Sequence, residues 1–338
     1  MRLTFVLLLT GFLFLSSNAQ KILKYSDHES PNEMRTLFLQ KVLFPNIEKE
    51  SEGRIKIEAY WNGELSSSYD ALKKVSKGDT VDITTVVPEY TGSELPTHQL
   101  FKSFLVGPTG QKQVSFFRKM FKVVPEFTQE LHQHNVEPIF LSTGFGVGFF
   151  SREPIHSLPE IKNKRWRTAS FWHRDYLINY GSIPVTIPWG SQVYKAFEEK
   201  TLDGLMVNVD GGYQLKVYEQ TPYILASKKL WLGHLYIVAI NKQTWESLEQ
   251  RDKDAIKRAA EKSYRKLGGT MDKSFDEQME KLKAAGAKYR ILTDKELNDF
   301  EKAVQYPKVQ SNWIKEQESN GVKNIAEILE KMKKELKK

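Results

Sequence analysis

Apolar and polar positions along the chain switch repeatedly between a period of two and a period near 3.6, the marks of strand and helix. Lys21 to Ser26 reads as a strand, Pro31 to Glu50 as a helix opened by Ser30 and Pro31, and Arg54 to Tyr60 as a second strand. Asn62-Gly63 breaks it, Ser67 or Ser68 caps a helix through Ser76, and Val81 to Val87 forms another strand. Helical turns follow over Phe116 to Gln133, then a strand from Val136 to Leu141. After the glycine-rich Gly144 to Gly148 the alternation resumes. Strands are expected at Arg165 to Ala169, Pro184 to Ile187 and Gly204 to Val207, with helices at Phe171 to Tyr180 and Ser191 to Glu199. Gly181 is placed to stop the first of these helices. Leu235 to Ile240 is a further strand, and Asp252 to Ala285 a long helix with Gly268-Gly269 as its weak point. Thr293-Asp294-Lys295-Glu296 has capping-box spacing ahead of Leu297, Phe300 and Val304. Such βαβ alternation predicts α/β architecture with largely parallel sheets covered by helices.

The two ends refine this picture. Arg2, an apolar run from Leu3 to Leu15, and Ser17-Asn18-Ala19 make a secretory signal with a cut expected after Ala19. The apolar run is shorter than the ~20 residues of a spanning helix. At the other end, Ile325, Ile328, Leu329, Met332 and Leu336 form a stripe on a lysine- and glutamate-rich helix. A length of 338 residues suggests two domains. No flexible tether separates the halves, so the chain is expected to cross between two lobes more than once and to leave a hinged cleft.

Composition removes several function classes. The chain has no cysteine, hence no disulfide framework, thiolate metal site or cysteine nucleophile. A net charge of +8 is spread among glutamates on helix faces and accompanies no nucleic-acid motif, so no nucleic-acid partner is expected. Neither G-x-S-x-G, H-E-x-x-H nor a P-loop is present. His132 and His134, two apart on a helix, point to different faces, and no metal or cofactor is expected. Gly144-Phe145-Gly146-Val147-Gly148 brings its third glycine too early for a dinucleotide loop and reads as a crossover between lobes. Arg167, beside Trp166 on a strand, is costly to bury unless it meets an anion or a salt-bridge partner. Trp189, Phe145, Trp172 and Trp231 stand at element ends, where an aromatic packs in a core or covers a ligand.

The order of segments resembles the solute receptors of tripartite ATP-independent periplasmic (TRAP) transporters. In the first lobe the resemblance lies in Glu50 to Glu58, Asn62 to Leu65 and Lys77 to Asp82. In the second it lies in Pro159-Glu160-Ile161-Lys162, Arg165-Trp166-Arg167, Gly181, Pro184-Val185, Val193-Tyr194 and Leu202-Asp203-Gly204, extended by Tyr218-Glu219 and Trp245 to Leu248. It implies a two-lobe periplasmic binding protein, a Venus flytrap. Residues 1–19 are the leader, 20–143 with about 235–292 form lobe I, and 144–234 with about 293–338 form lobe II.

By the same resemblance Arg167 pairs with a substrate carboxylate, Trp189 lies over the ligand, and His28 lines the cleft after the first strand. A membrane partner, the integral subunits of a TRAP-type transporter, is implied. Two departures bear on the cargo. The position of a second family arginine falls on Gly146 or Val147, and that of a usual asparagine on Val207, with Asn208 beside it. A monocarboxylate, or a solute with an apolar part covered by Trp189 and Phe145, is therefore expected rather than a dicarboxylate. The rival readings are a receptor for a lipid-like ligand or another importer class, and a periplasmic enzyme using His28 with Glu29 or Asp27.

Overall fold

The computed structural model describes residues 20–144, 146–187, 189–230 and 234–337. The expected leader, Phe145 and Trp231 lie outside the described residues. The strands in chain order are β1 (Lys21–Ser26), β2 (Ile55–Tyr60), β3 (Ile83–Val86), β4 (Val136–Thr143), β5 (Val147–Ser151) and β6 (Arg165–Thr168). They continue with β7 (Ile183–Thr186), β8 (Gly204–Asn208), β9 (Tyr223–Ala226), β10 (Leu235–Asn241) and β11 (Lys288–Ile291).

They form two sheets, one per lobe. The first runs β2-β1-β3-β10-β4, with β1 parallel to β2 from Lys21 opposite Ile55 to Ser26 opposite Tyr60, and β10 antiparallel to β3 and β4. The second runs β11-β9-β5-β8-β6-β7, parallel through β8, β6 and β7, with β5 antiparallel to β8 and β9. In the first lobe Leu23, Tyr25, Ile83, Phe101, Phe127, Phe140 and Ile237 belong to one core. The second sheet has a core on each face. Phe149 packs with Trp166, Trp172 and Phe300, while its neighbour Phe150 packs with Phe197, Leu205 and Met279, as a period of two requires.

The chain passes between sheets from β4 to β5 and back from β9 to β10. A third link is the helix Gln250–Ala284, continuous through both glycines. Its first half lays Ile256, Ala259 and Leu267 on the first lobe's core, and its second half lays Met271, Phe275, Met279 and Leu282 on the second's. Gly268 is required at the join, because a Cβ there would overlap the backbone of Gln111 on the helix Gly110–Val123; Gly269 faces open space.

Several expectations are corrected. The helix predicted over 31–50 contains a π-helical segment, Leu39–Leu43, between Met34–Phe38 and Phe44–Glu50. This loosened turn stands just before Pro45, whose ring would crowd a regular α-helical carbonyl four residues back. Helical turns over 116–133 are two helices, Gly110–Val123 and Pro125–Gln133, separated where Pro125 opens the second. Strand β11 belongs to the second sheet, so 288–291 falls in lobe II rather than lobe I. The helix Ile325–Leu336 buries Ile325, Ile328, Leu329 and Met332 in the first lobe's core, against its expected place in lobe II. Its apolar stripe demanded a core but did not say which one. Conversely, the helix Phe171–Tyr180, its left-handed stop at Gly181 (φ 90°) and the Thr293–Glu296 capping box stand as expected.

The two adjacent glycines make a paired test. Replacing Gly268 by alanine forces the two helices apart and should cost about 1–3 kcal/mol of stability. The same change at Gly269 relieves a helix-interior glycine in free space and should add up to ~1 kcal/mol. Urea unfolding of both variants measures the difference in sign.

Candidate functional site

In α/β sheets the C-terminal ends of parallel strands leave a crevice to which adjacent loops supply side chains. Here β1 and β3 end at one lobe's rim, and β6 and β8 at the other's. Beyond β1 come His28, Glu29 and Glu33; beyond β3 come Val87, Glu89 and Tyr90; β10 and its approach supply His234 and Tyr236. The second lobe contributes Val147, Arg167, Ala169, His173, Trp189, Met206, Val207 and Asn208. Together they line a narrow cleft with about 500 Å³ of space free of atoms, part of it open to solvent. His28, Glu29, Glu33 and Trp189 also border the adjoining mouth of the cleft.

Arg167 is buried, with 3% of its surface exposed. Its Nε donates to the Ile187 carbonyl at 2.9 Å and its Nη1 to the Met206 carbonyl at 3.4 Å. Its Nη2 is buried with no hydrogen-bond partner. The guanidinium carbon stands 5.3 Å from the centre of the Trp189 ring. Gly211 makes room for that indole, since a Cβ there would lie 3.1 Å from it. Burial lowers the arginine's pKa, partly offset by Tyr90, Glu89 and Tyr69, but a guanidinium stays charged at any working pH. An oriented, charged and incompletely satisfied donor in a cavity wall has the chemistry to pair with an anion.

The first lobe's wall is rich in acid. Arg35 is fully buried and joins Asp27 to Glu29: Nη1 and Nη2 donate to Asp27 at 2.7 and 2.8 Å, and Nε donates to Glu29 at 3.0 Å. Tyr236 donates to Glu29 at 3.2 Å. Asp27 and Glu29, weighed with His28 as an acid–base set, thus hold Arg35 in place. His28 touches them only loosely, at 3.5 and 3.8 Å, and its ring meets Tyr90 edge-on.

A second buried network lies under the cavity. Lys102 sits 3.2 Å from Glu89 and contacts Nδ1 of His234. Nδ1 of His234 also lies 3.3 Å from Glu89, so it accepts from Lys102 or donates to Glu89 according to the tautomer. Nε2 of His234 is buried without a partner. Burial first, and then Lys102, lower the pKa of His234; Glu89 lies well below the usual carboxyl range despite burial, because Lys102 and His234 adjoin it.

Of the residues named from sequence, Arg167, Trp189, His28, Asn208 and Val207 line the cavity. Asn208 donates to Asp210 at 2.8 Å. Two expectations are corrected. Trp172 is fully buried in the second lobe's core beside Trp313, its indole N–H donating to the Gln99 carbonyl at 3.0 Å. Gly146 borders the crossover instead of the cavity, where a Cβ would lie 2.7 Å from the Ser227 carbonyl. Phe145 lies outside the described residues. Sequence reading missed Glu33, Glu89, Tyr90, His173, His234 and Tyr236; the available signal was position, with Glu89 and Tyr90 just past β3, Glu33 and His173 at helix starts, and His234 and Tyr236 at the start of β10. Among the described residues no three His, Asp or Glu side chains converge to hold a metal ion.

The buried histidine of this wall makes stability depend on pH. Burial pushes His173 from 6.5 to about 3, in surroundings that include Glu89, Lys102, His234 and Arg167. Above pH 6.5 the ring is neutral folded or unfolded. Below it the unfolded chain takes up a proton that the folded chain refuses, so stability falls by up to about 1.4 kcal/mol per pH unit. His173→Gln should remove that share of the slope in urea titrations at successive pH values.

Comparison with known proteins agrees with this architecture. Residues 25–316 match the family model described as bacterial extracellular solute-binding protein, family 7. The chain is 24% identical over 319 residues to the ectoine-binding periplasmic protein of Halomonas elongata, covering 93% of this chain and 89% of the relative. It is also 24% identical over 233 residues to the sialic acid-binding periplasmic protein of Vibrio cholerae, covering 66% and 68%. The solved TRAP solute-binding protein of Rhodoferax ferrireducens with copurified benzoate superposes with a TM-score of 0.81 at 19% identity, over 94% of this chain and 98% of that one. A Bordetella pertussis extracytoplasmic solute receptor that binds pyroglutamic acid gives 0.75 at 17% identity, over 92% and 99%. The two-lobe fold, the crevice at the strand ends and the family match over most of the chain lead to one conclusion: this protein belongs to the family 7 bacterial extracellular solute-binding proteins, the solute receptors of TRAP transporters.

Proposed function

We propose that the protein captures a small organic acid in the periplasm, with the acid's carboxylate on Arg167, and delivers it to the membrane subunits of a TRAP transporter. The observation that carries this reading is the buried, unpartnered Nη2 of Arg167 in the cavity wall. A carboxylate there would accept charge-assisted hydrogen bonds that no described side chain supplies. Trp189 covers the guanidinium, and Met206 and Val207 give the solute's remaining part an apolar floor. Relatives and structural neighbours named for ectoine, benzoate and pyroglutamate, all small carboxylates, support the same class. Export by the N-terminal signal, with cleavage after Ala19, suits a receptor that meets its solute outside the inner membrane.

Work is done by binding alone. A solute touching Arg167 on one lobe and His28 or Tyr90 on the other selects the closed form, and its contacts offset the loss of the open one. The membrane partner then recognises closure. Glu29, Glu33 and Glu89 on the facing wall oppose a second carboxylate, which favours a monocarboxylate over a dicarboxylate and argues against a lipid-like cargo.

Arg167→Ala should lower affinity for the acid that copurifies with the receptor by on the order of 100-fold in titration calorimetry, with the fold retained. Unchanged affinity refutes the anchor. In a thermal-shift panel, benzoate and pyroglutamate should raise the melting temperature more than succinate does. Stabilisation by dicarboxylates alone would contradict the assignment.

A further inference from the structure

We infer that the solute also carries a cationic nitrogen, an amine or an amidine, held against Glu33 on the lobe facing Arg167. The inference rests on the reading of Arg167 as the carboxylate anchor. Its own support lies at the start of the first lobe's leading helix. Glu33 precedes the helix Met34–Phe38, is 4% exposed, and borders both the cavity and its mouth. Its carboxylate makes no hydrogen bond or ion pair with any described side chain.

The surroundings are short of positive charge. Asp27 and Glu29 already share the one guanidinium of Arg35. Asp210 comes from the other lobe, and its Oδ1 accepts from Asn208 at 2.8 Å and from the Gly211 N–H at 3.0 Å. The Met34 backbone N–H also favours its charged form. His28 meets Asp27 and Glu29 only loosely. Glu33 therefore feels the charges of Glu29, Asp210 and Asp27, while Arg35 is already paired with Asp27 and Glu29 and the Nη2 of Arg167 is without a partner in the cavity wall.

Burial, then Glu29 and Asp210, hold the Glu33 carboxyl well above its usual range. Burial and the charge of Glu29 push Asp210 to about 7. These directions mean that closure without a cation favours protonated carboxyls, whereas a solute ammonium or amidinium restores their ionised form and gains the pairing energy. A cavity with an anion seat on one lobe and a cation seat on the other selects a zwitterion.

Matched solutes test this. Proline and cyclopentanecarboxylate differ in a ring NH2+ against CH2; ectoine and benzoate differ in an amidinium and also in ring saturation and a methyl group, so the first pair is the strict comparison. All four carry one carboxylate. Calorimetry should show each zwitterion binding at least about tenfold tighter than its uncharged-ring counterpart. Glu33→Gln should reverse the order, weakening the zwitterions and tightening the simple acids. Asp210→Asn should shift it the same way by a smaller factor, which keeps the test open if Glu33→Gln does not fold. Equal or tighter binding of the simple acids, or no binding of either zwitterion at millimolar concentration, overturns the cation seat. If that simple-acid binding is lost in Arg167→Ala, the carboxylate anchor survives and only the cation seat fails. Binding of any of the four with unchanged affinity in Arg167→Ala refutes the anchor itself.

Discussion

Two sheets that share one chain cannot separate, and they cannot merge. The passages from β4 to β5 and from β9 to β10 meet where the Gly144 N–H donates to the His234 carbonyl at 3.1 Å, and the helix Gln250–Ala284 spans both cores. Their packing leaves little slack. A Cβ on Gly144 would lie 2.7 Å from the Tyr236 ring, and one on Gly146 equally close to the Ser227 carbonyl. Held this way, the strand ends of the two lobes face each other across a narrow cleft. The position of the crevice follows from the crossings.

The strand ends are also where burial of charge becomes hardest, and the two lobes handle it differently. The first lobe arranges acids around too few cations, with Arg35 serving Asp27 and Glu29 and Lys102 serving Glu89. The second lobe presents Arg167 with carbonyls on two of its nitrogens and none on the third. Leaving a buried donor unsatisfied costs on the order of 1–3 kcal/mol, more for a charged group. On the proposed reading, a solute with the complementary groups removes that cost and so turns binding energy into closing energy.

Much of this frame was legible in the residues, because local signals agreed with the fold. The Phe171–Tyr180 helix ended at the glycine expected to stop it, and Arg167 stood out as a cation inside a strand. Strands β9 and β11 escaped the sequence reading, although β7, equally short and, like β11 at the opposite sheet edge, without a buried residue, did not. The last helix declared an apolar face, but the core it joins is decided by the path of the chain before it. Glu33 looked like one more polar residue at the start of a helix. Its meaning comes from Asp210, far along the chain and on the other lobe, which no local pattern records. Trp172 illustrates the opposite limit, since an aromatic at a helix start serves a core or a ligand equally well until its N–H is seen to donate to Gln99.

The account stands on the missing partner of Arg167. A crystal structure of the receptor with the solute it copurifies from its native periplasm tests it most directly. The account predicts a small acid whose carboxylate oxygens accept from the Arg167 guanidinium, with Nη2 among the donors and Trp189 over the contact. A solute without a carboxylate, or one whose carboxylate lies away from Arg167, would contradict it.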